Sequence, residues 1–131
     1  MSSASTSGLN HVTLKCTPGA LAPLRDFYVA SLGLVEGARP DFPFPGHWLY
    51  GSGRPIVHLA GLLDDPAARS TGPLDHISFT GLDLEGTRRR LRAQAIPFDE
   101  APVPGWPLHQ IFFLDPGGLK IELTFDVPEA S

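Results

Sequence analysis

The chain repeats itself, and the repeat limits its architecture more than any other feature. Leu9-Asn10-His11-Val12-Thr13-Leu14 returns 65 residues later as Leu74-Asp75-His76-Ile77-Ser78-Phe79. Each copy reads Leu, small polar, His, β-branched, hydroxyl, apolar. Trp48 to Leu59 (WLYGSGRPIVHL) aligns without a gap on Phe112 to Leu123 (FFLDPGGLKIEL) at an offset of 64. That alignment sets His58 opposite Glu122, just as the first one sets His11 opposite His76. Two copies are too few for a solenoid, so they must share one core.

Each half reads as strand, helix and three strands. Alternation marks a strand over Leu9–Lys15, broken by Pro18-Gly19. Leu21, Leu24, Tyr28 and Leu32 recur at helical spacing, and Gly33 ends that helix. Short strands follow near Val35–Arg39, Trp48–Tyr50 and Ile56–Ala60. The second half opens with a strand over Leu74–Thr80. Asp83 caps a helix whose inner face is Leu84, Thr87 and Leu91. Strands near Ile96–Glu100, Gln110–Leu114 and Lys120–Phe125 complete it. Ser52-Gly53 and Pro116-Gly117-Gly118 supply the last tight turn of each half. The Pro-rich runs 40–45 (PDFPFP) and 101–107 (APVPGWP) precede each third strand and read as loops over a site. The expected organisation is a tail over 1–8, one domain over 9–126 and a tail over 127–131. The domain comprises modules at 9–62 and 74–126, joined by a linker at 63–73.

Gly and Pro number 14 each in 131 residues, about twice average usage, which argues against a helical bundle. A net charge of −4 does not suit a binder of nucleic-acid backbones. The single Cys16 cannot form an internal disulfide, so a reducing compartment, the cytoplasm, is expected. No apolar run is long enough to span a bilayer, and the first eight residues do not read as a secretory signal.

Side chains alternate across a strand, so residues i and i+2 share a face. Leu9, His11, Thr13 and Lys15 then oppose Val12 and Leu14. His76 and Ser78 oppose Ile77 and Phe79, and Lys120, Glu122 and Thr124 oppose Ile121, Leu123 and Phe125. His58 opposes Val57 and Leu59. One face of each sheet covers the helices while the other collects imidazole, hydroxyl and carboxylate groups. Such a face can be polar simply because it is wet. Yet the chain has only five His, and three of them occupy repeat-equivalent positions, with Glu122 at the fourth. His11, His58, His76 and Glu122 are therefore the expected ligands of a divalent cation (Zn, Ni, Mn or Fe(II)), with no thiolate involved.

At this point the sequence resembles the vicinal oxygen chelate superfamily, which groups glyoxalases, bleomycin-resistance proteins, fosfomycin-resistance proteins and extradiol dioxygenases. LNHVTL at 9–14, FYVASLGL at 27–34, VHLAG at 57–61, LDHISF at 74–79 and FFLDPGGLKIELTF at 112–125 carry the likeness. It implies an α+β fold of two βαβββ modules forming an incomplete barrel around a metal. Carried over by position, His11, His76 and Glu122 are its ligands. The fourth-strand position, Glu or Gln in the glyoxalase and epimerase branches, holds His58 here. His58 thus reads as a ligand, a proton-transfer group or a neighbour of the ligands. The expected activity is a metal-dependent lyase or isomerase. It would chelate neighbouring oxygens of a small molecule and stabilise an enolate-like intermediate, with Glu122 or His58 moving the proton. The alternatives are an Fe(II) ring-cleavage dioxygenase and a resistance protein that sequesters a drug or transfers a thiol. A homodimer is expected, because the sheets leave open edges and the loops carry Phe42, Phe44, Trp48 and Trp106.

His109, after the second Pro-rich run, is an expected catalytic acid or base at the pocket mouth, with a surface position as the other reading. Trp48 reads as core or dimer packing more than as a wall of the pocket. Arg39 reads as a solvated loop charge more than as a contact to an anionic substrate. The run Arg88-Arg89-Arg90 with Arg92 reads as a solvated helix face.

Overall fold

A computed structural model of the chain describes residues 5–65 and 73–128. Parts of the expected tails and linker, at 1–4, 66–72 and 129–131, lie outside the described residues. The first half folds as β1 (Val12–Lys15), α1 (Leu21–Leu32), β2 (Val35–Gly37), β3 (Gly46–Gly51) and β4 (Arg54–Ala60). The second folds as β5 (His76–Thr80), α2 (Leu84–Ala93), β6 (Asp99–Pro102), β7 (Leu108–Leu114) and β8 (Lys120–Asp126). Each half forms a four-stranded mixed sheet, ordered β1-β4-β3-β2 in one and β5-β8-β7-β6 in the other. The outer pairs β1–β4 and β5–β8 are parallel, and all other pairs are antiparallel. Neither sheet closes.

The repeat extends to the strand register. Thr13 lies beside His58 and Ser78 beside Glu122 in the parallel pairs. Trp48 lies beside His58 and Phe112 beside Glu122 in the antiparallel pairs.

Local chemistry explains the element ends. Gly33, at φ 69°, closes α1 with its N–H on the Val29 carbonyl, a left-handed cap that glycine adopts without strain. Asp83 caps α2 by accepting the Gly86 N–H. The β3–β4 turn places Ser52 and Gly53 at φ 51° and 79°, the primed geometry that suits the twist of a two-residue hairpin. Two strands start three residues later than expected. β1 begins at Val12 because its ladder begins there, opposite Val57. β6 begins at Asp99 because the chain leaves α2 through Ala95 at φ 55°, and Ile96 is still tied to the Leu91 carbonyl.

The apolar faces of both sheets share one core. Val57, Leu59 and Leu49 from the first sheet and Ile77, Ile111, Phe113, Ile121, Leu123 and Phe125 from the second join it. Leu21, Leu24 and Tyr28 of α1 and Leu91 of α2 complete it. The two helices contact each other. Phe27 of α1 meets Phe113 of β7 with ring centroids 5.9 Å apart. Tyr28, fully buried, donates its hydroxyl to Asp115 Oδ2 at 2.7 Å. Asp115 in turn folds its own turn, Oδ1 accepting the Gly117 and Leu119 N–H groups at 2.8 and 2.9 Å. This is the structural reason for Asp at the head of the DPGG run. Burial, reinforced by the adjacent Asp115 carboxylate, pushes the Tyr28 hydroxyl pKa far up.

The arginine run of α2 is partly engaged. Arg88 binds Glu100 through Nη2 at 2.6 Å and also binds Glu85, while Arg92 lies over the Phe98 ring. Hydrogen bonds from Arg88, and then from His109, hold the Glu100 carboxyl below the usual carboxylate range. The folded pKa is depressed, so its stabilisation is complete above an unfolded value near about 4.3 and is lost as pH falls through the folded value. Glu100→Gln should therefore narrow the gap between urea midpoints measured at about pH 5 and about pH 3. An unchanged gap would show that the cluster adds nothing.

Candidate metal and ligand site

The polar face of each sheet points away from the shared core, and the expected site residues divide between the two. His11 and His58 stand on the first sheet, and His76 and Glu122 on the second. Among the described residues, no three His, Cys, Asp or Glu side chains gather closely enough to hold a cation. The four expected ligands are thus two pairs within one chain.

In the second module, His76 Nε2 lies 3.7 Å from Glu122 Oε1. The His76 ring is fixed from behind, its Nδ1 bonded to Asp75 Oδ2 at 2.7 Å. Asp75 is held below its usual pKa first by that bond and then by the Lys120 ammonium. Glu122 is almost fully buried although it lies on the polar face. Thr124 donates its hydroxyl to Glu122 Oε2 at 3.2 Å, and Ser78 and Gln110 bond Thr124 in turn. This hydroxyl and amide support leaves Oε1 turned toward His76.

The first module orients His11 in the same way. Its Nδ1 bonds Asn10 Oδ1 at 2.8 Å, so Nε2 is free as an acceptor. In both modules, then, the residue before the His holds the ring and leaves the outer nitrogen available.

His58 is arranged differently. Its ring is sandwiched between Trp48 and His11, with centroids 3.9 Å from each and interplanar angles of 12° and 15°. Ring nitrogen lone pairs lie in the ring plane. Two imidazoles stacked face to face cannot aim their lone pairs at one ion. In this arrangement His11 and His58 do not act as joint ligands. His58 Nε2 donates to the Pro55 carbonyl at 3.0 Å, which leaves Nδ1 as the acceptor. Burial lowers the His58 pKa, with His11 acting in the same direction and the Pro55 bond opposing, so the ring is neutral near pH 7.

His109 does not reach the site. Gln110 bonds Thr124 on the polar face, so its neighbour His109 projects from the other side of β7. There its Nε2 bonds Glu100 Oε1 at 2.7 Å, within the cluster held by Arg88. The structure thus places His109 in a bond between β7 and β6, apart from His11, His76 and Glu122.

An open cleft of about 450 Å³ lies on the polar face of the first module. His11, His58, Thr13, Trp48, Arg39, Phe42 and Phe44 are among its lining. Of the two Pro-rich loops, the first thus lines this cleft. Trp106, in the second, is 69% exposed and is not among the lining.

The profile of the Glyoxalase/Bleomycin resistance protein/Dioxygenase superfamily matches residues 8–123. The chain belongs to this superfamily. No curated protein sequence matches it significantly. Solved structures share the superfamily fold. A glyoxylase/bleomycin resistance protein/dioxygenase domain from Frankia sp. EAN1pec superposes with a TM-score of 0.73 at 22% identity, covering 93% of this chain and 99% of that one. Lactoylglutathione lyase from Agrobacterium tumefaciens gives 0.68 at 17% identity, over 93% and 96%. A variant of the fosfomycin resistance protein FosX from Listeria monocytogenes, complexed with Mn(II) and 1S,2S-dihydroxypropylphosphonic acid, gives 0.69 at 18% identity, over 93% and 94%.

Two residues that the sequence read mainly as packing and as a solvated charge line the cleft. Trp48 is a wall of the cleft and not simply packing. The signal was present in its alignment with Phe112, since both stand opposite the fourth position of their module. Arg39 lies in the cleft and not in bulk solvent. No sequence pattern separates the two, because the bend of the loop decides it.

Proposed function

We propose that the chain is a divalent-metal-dependent enzyme of lyase or isomerase type, with His11, His76 and Glu122 as ligands and a second copy completing each site. The observation that carries this reading is the matched presentation of two imidazole Nε2 atoms, each ring held by the preceding residue, with a buried carboxylate beside one of them. The donor set, two imidazoles and a carboxylate, suits Mn, Fe(II), Ni or Zn. That the similar FosX structure holds Mn(II) supports the choice of a divalent ion. Bound there, the cation would act as a Lewis acid on neighbouring oxygens of a small substrate.

The chain's own residues supply the rest. Thr124 steadies Glu122 at Oε2 and leaves Oε1 for the site. His58, neutral and clamped between rings, offers Nδ1 as a proton acceptor on the cleft floor. The cleft walls hold the substrate and exclude water. β1 and β5 are both edge strands with one side unpaired in their sheets. Pairing a β1 edge with the β5 edge of another copy would bring His11 toward His76 and Glu122. Open edges of this kind are normally covered or paired.

The test is complementation. His11→Ala and His76→Ala chains should each fail to bind a divalent cation when pure. Mixed under conditions that allow subunit exchange, they should regain binding, because a mixed dimer contains one intact site. No recovery in a mixture shown to exchange would sink the shared site. Sedimentation at micromolar concentration should give twice the mass of one chain, and a clean monomer with full metal content would contradict it.

A further inference from the structure

We propose that the cleft of the first module takes a flat, conjugated carboxylate, with Arg39 as the residue that binds its carboxylate group. This rests on reading the His11 face as the ligand-binding side, and it names the class of molecule that enters there.

Arg39 Nε is buried and has no hydrogen-bond partner. Its Nη2 donates to the Phe44 carbonyl at 3.1 Å. Among the described residues, no carboxylate stands within ion-pair distance of this guanidinium. Arg39 is among the lining of the cleft, so a guanidinium without a carboxylate partner in the chain stands where an anion from outside can pair with it.

The guanidinium is also held in place. It lies over the Phe42 and Phe44 rings, 5.2 and 5.3 Å from their centroids, and those rings stack on each other at 5.2 Å. Gly46 makes room for it. A Cβ there would stand 3.2 Å from Arg39 Nη2 and only 2.3 Å from the Leu59 carbonyl oxygen. The positive group is therefore seated before a ligand arrives, which reduces the entropy lost on binding. A planar guanidinium fork suits a planar carboxylate, which it can bind through parallel hydrogen bonds.

The remaining walls select the body of the ligand. His11, His58 and Trp48 form a ladder of near-parallel rings along one side. Phe42 and Phe44 form a second aromatic surface on the side of Arg39. The cleft's volume of about 450 Å³ suits a small molecule and not a polymer. Flat rings bounding a cleft favour a flat guest, through stacking.

Calorimetry with three probes tests the proposal on chelator-treated protein: 2-naphthoate, its uncharged match 2-naphthamide, and cyclohexanecarboxylate, which has the charge without the flat ring. The naphthoate should bind once per chain, and each of the other two at least tenfold more weakly. Arg39→Gln should weaken the naphthoate at least tenfold. Arg39→Lys, which keeps the charge but loses the fork, should not restore it. No naphthoate binding at millimolar concentration would overturn the proposal. So would equal binding of the amide, equal binding of cyclohexanecarboxylate, or unchanged binding by a folded Arg39→Gln protein. Divalent-metal titration of the wild-type chain is read separately. Its failure would remove the metal reading and leave the carboxylate result standing. Retained metal binding by Arg39→Gln would show that a lost naphthoate signal comes from the cleft and not from unfolding.

Discussion

Replacing His76 with Ala is expected to abolish stoichiometric binding of a divalent cation while leaving the far-ultraviolet circular dichroism unchanged. His76 is well exposed at a strand start, so the fold does not depend on it, yet its Nε2 lies 3.7 Å from Glu122 Oε1. Loss of an outer partner of a ligand typically lowers metal affinity about 10–100-fold, so loss of the ligand itself should cost at least the upper end of that range. Asp75→Asn provides the graded comparison. It keeps an acceptor for His76 Nδ1 but removes the negative charge, and should weaken binding by less than His76→Ala. Calorimetry on both variants decides the matter. A folded His76→Ala protein that binds as tightly as wild type would overturn the ligand assignment.

The second large effect is expected at Asp115. Its carboxylate accepts the Tyr28 hydroxyl and two backbone N–H groups, all within the interior or just at its edge. Asp115→Ala leaves three donors without their acceptor, at about 1 kcal/mol or more each, so a loss of about 3 kcal/mol is expected. Tyr28→Phe removes one bond and keeps the ring, and should cost about 1–2 kcal/mol. Urea unfolding gives both numbers. The Tyr28 pKa is raised on folding, so this contribution is fully present below the unfolded tyrosine value of about 10 and is lost as pH rises beyond it. A loss of under about 1 kcal/mol in Asp115→Ala would show that water replaces the carboxylate and that the turn holds without it. Because the pair bridges α1 and the second module, the loss should appear as a shift of one transition.

Much of the fold was legible because two independent periodicities agreed. The copy at 65 residues duplicated the order of elements, and alternation within each strand separated Ile77 and Ile121 from His76 and Glu122. Identity at repeat-equivalent positions likewise singled out His11, His58, His76 and Glu122. Alternation also held the answer for His109, one residue from Gln110 and so on the other face of β7, but proximity to a Pro-rich loop suggested the pocket. Other features depend on three-dimensional placement that no spacing encodes. His58 stacks because Trp48 sits beside it in register. Arg39 turns inward because Gly46 leaves it space. The division of the candidate ligands into two sets follows from the way the helices gather both apolar faces into one core, which is a property of the whole chain.

That arrangement has a consequence for dose. On the proposed shared site, each chain would carry the donors of two half-sites and complete neither by itself. Occupancy of the cation then obeys mass action in protein as well as in metal. Dilution should lower activity per chain, and added metal should drive association as surely as association improves metal affinity. With a site shared in this way, activity would rise with the protein's own abundance more steeply than in direct proportion.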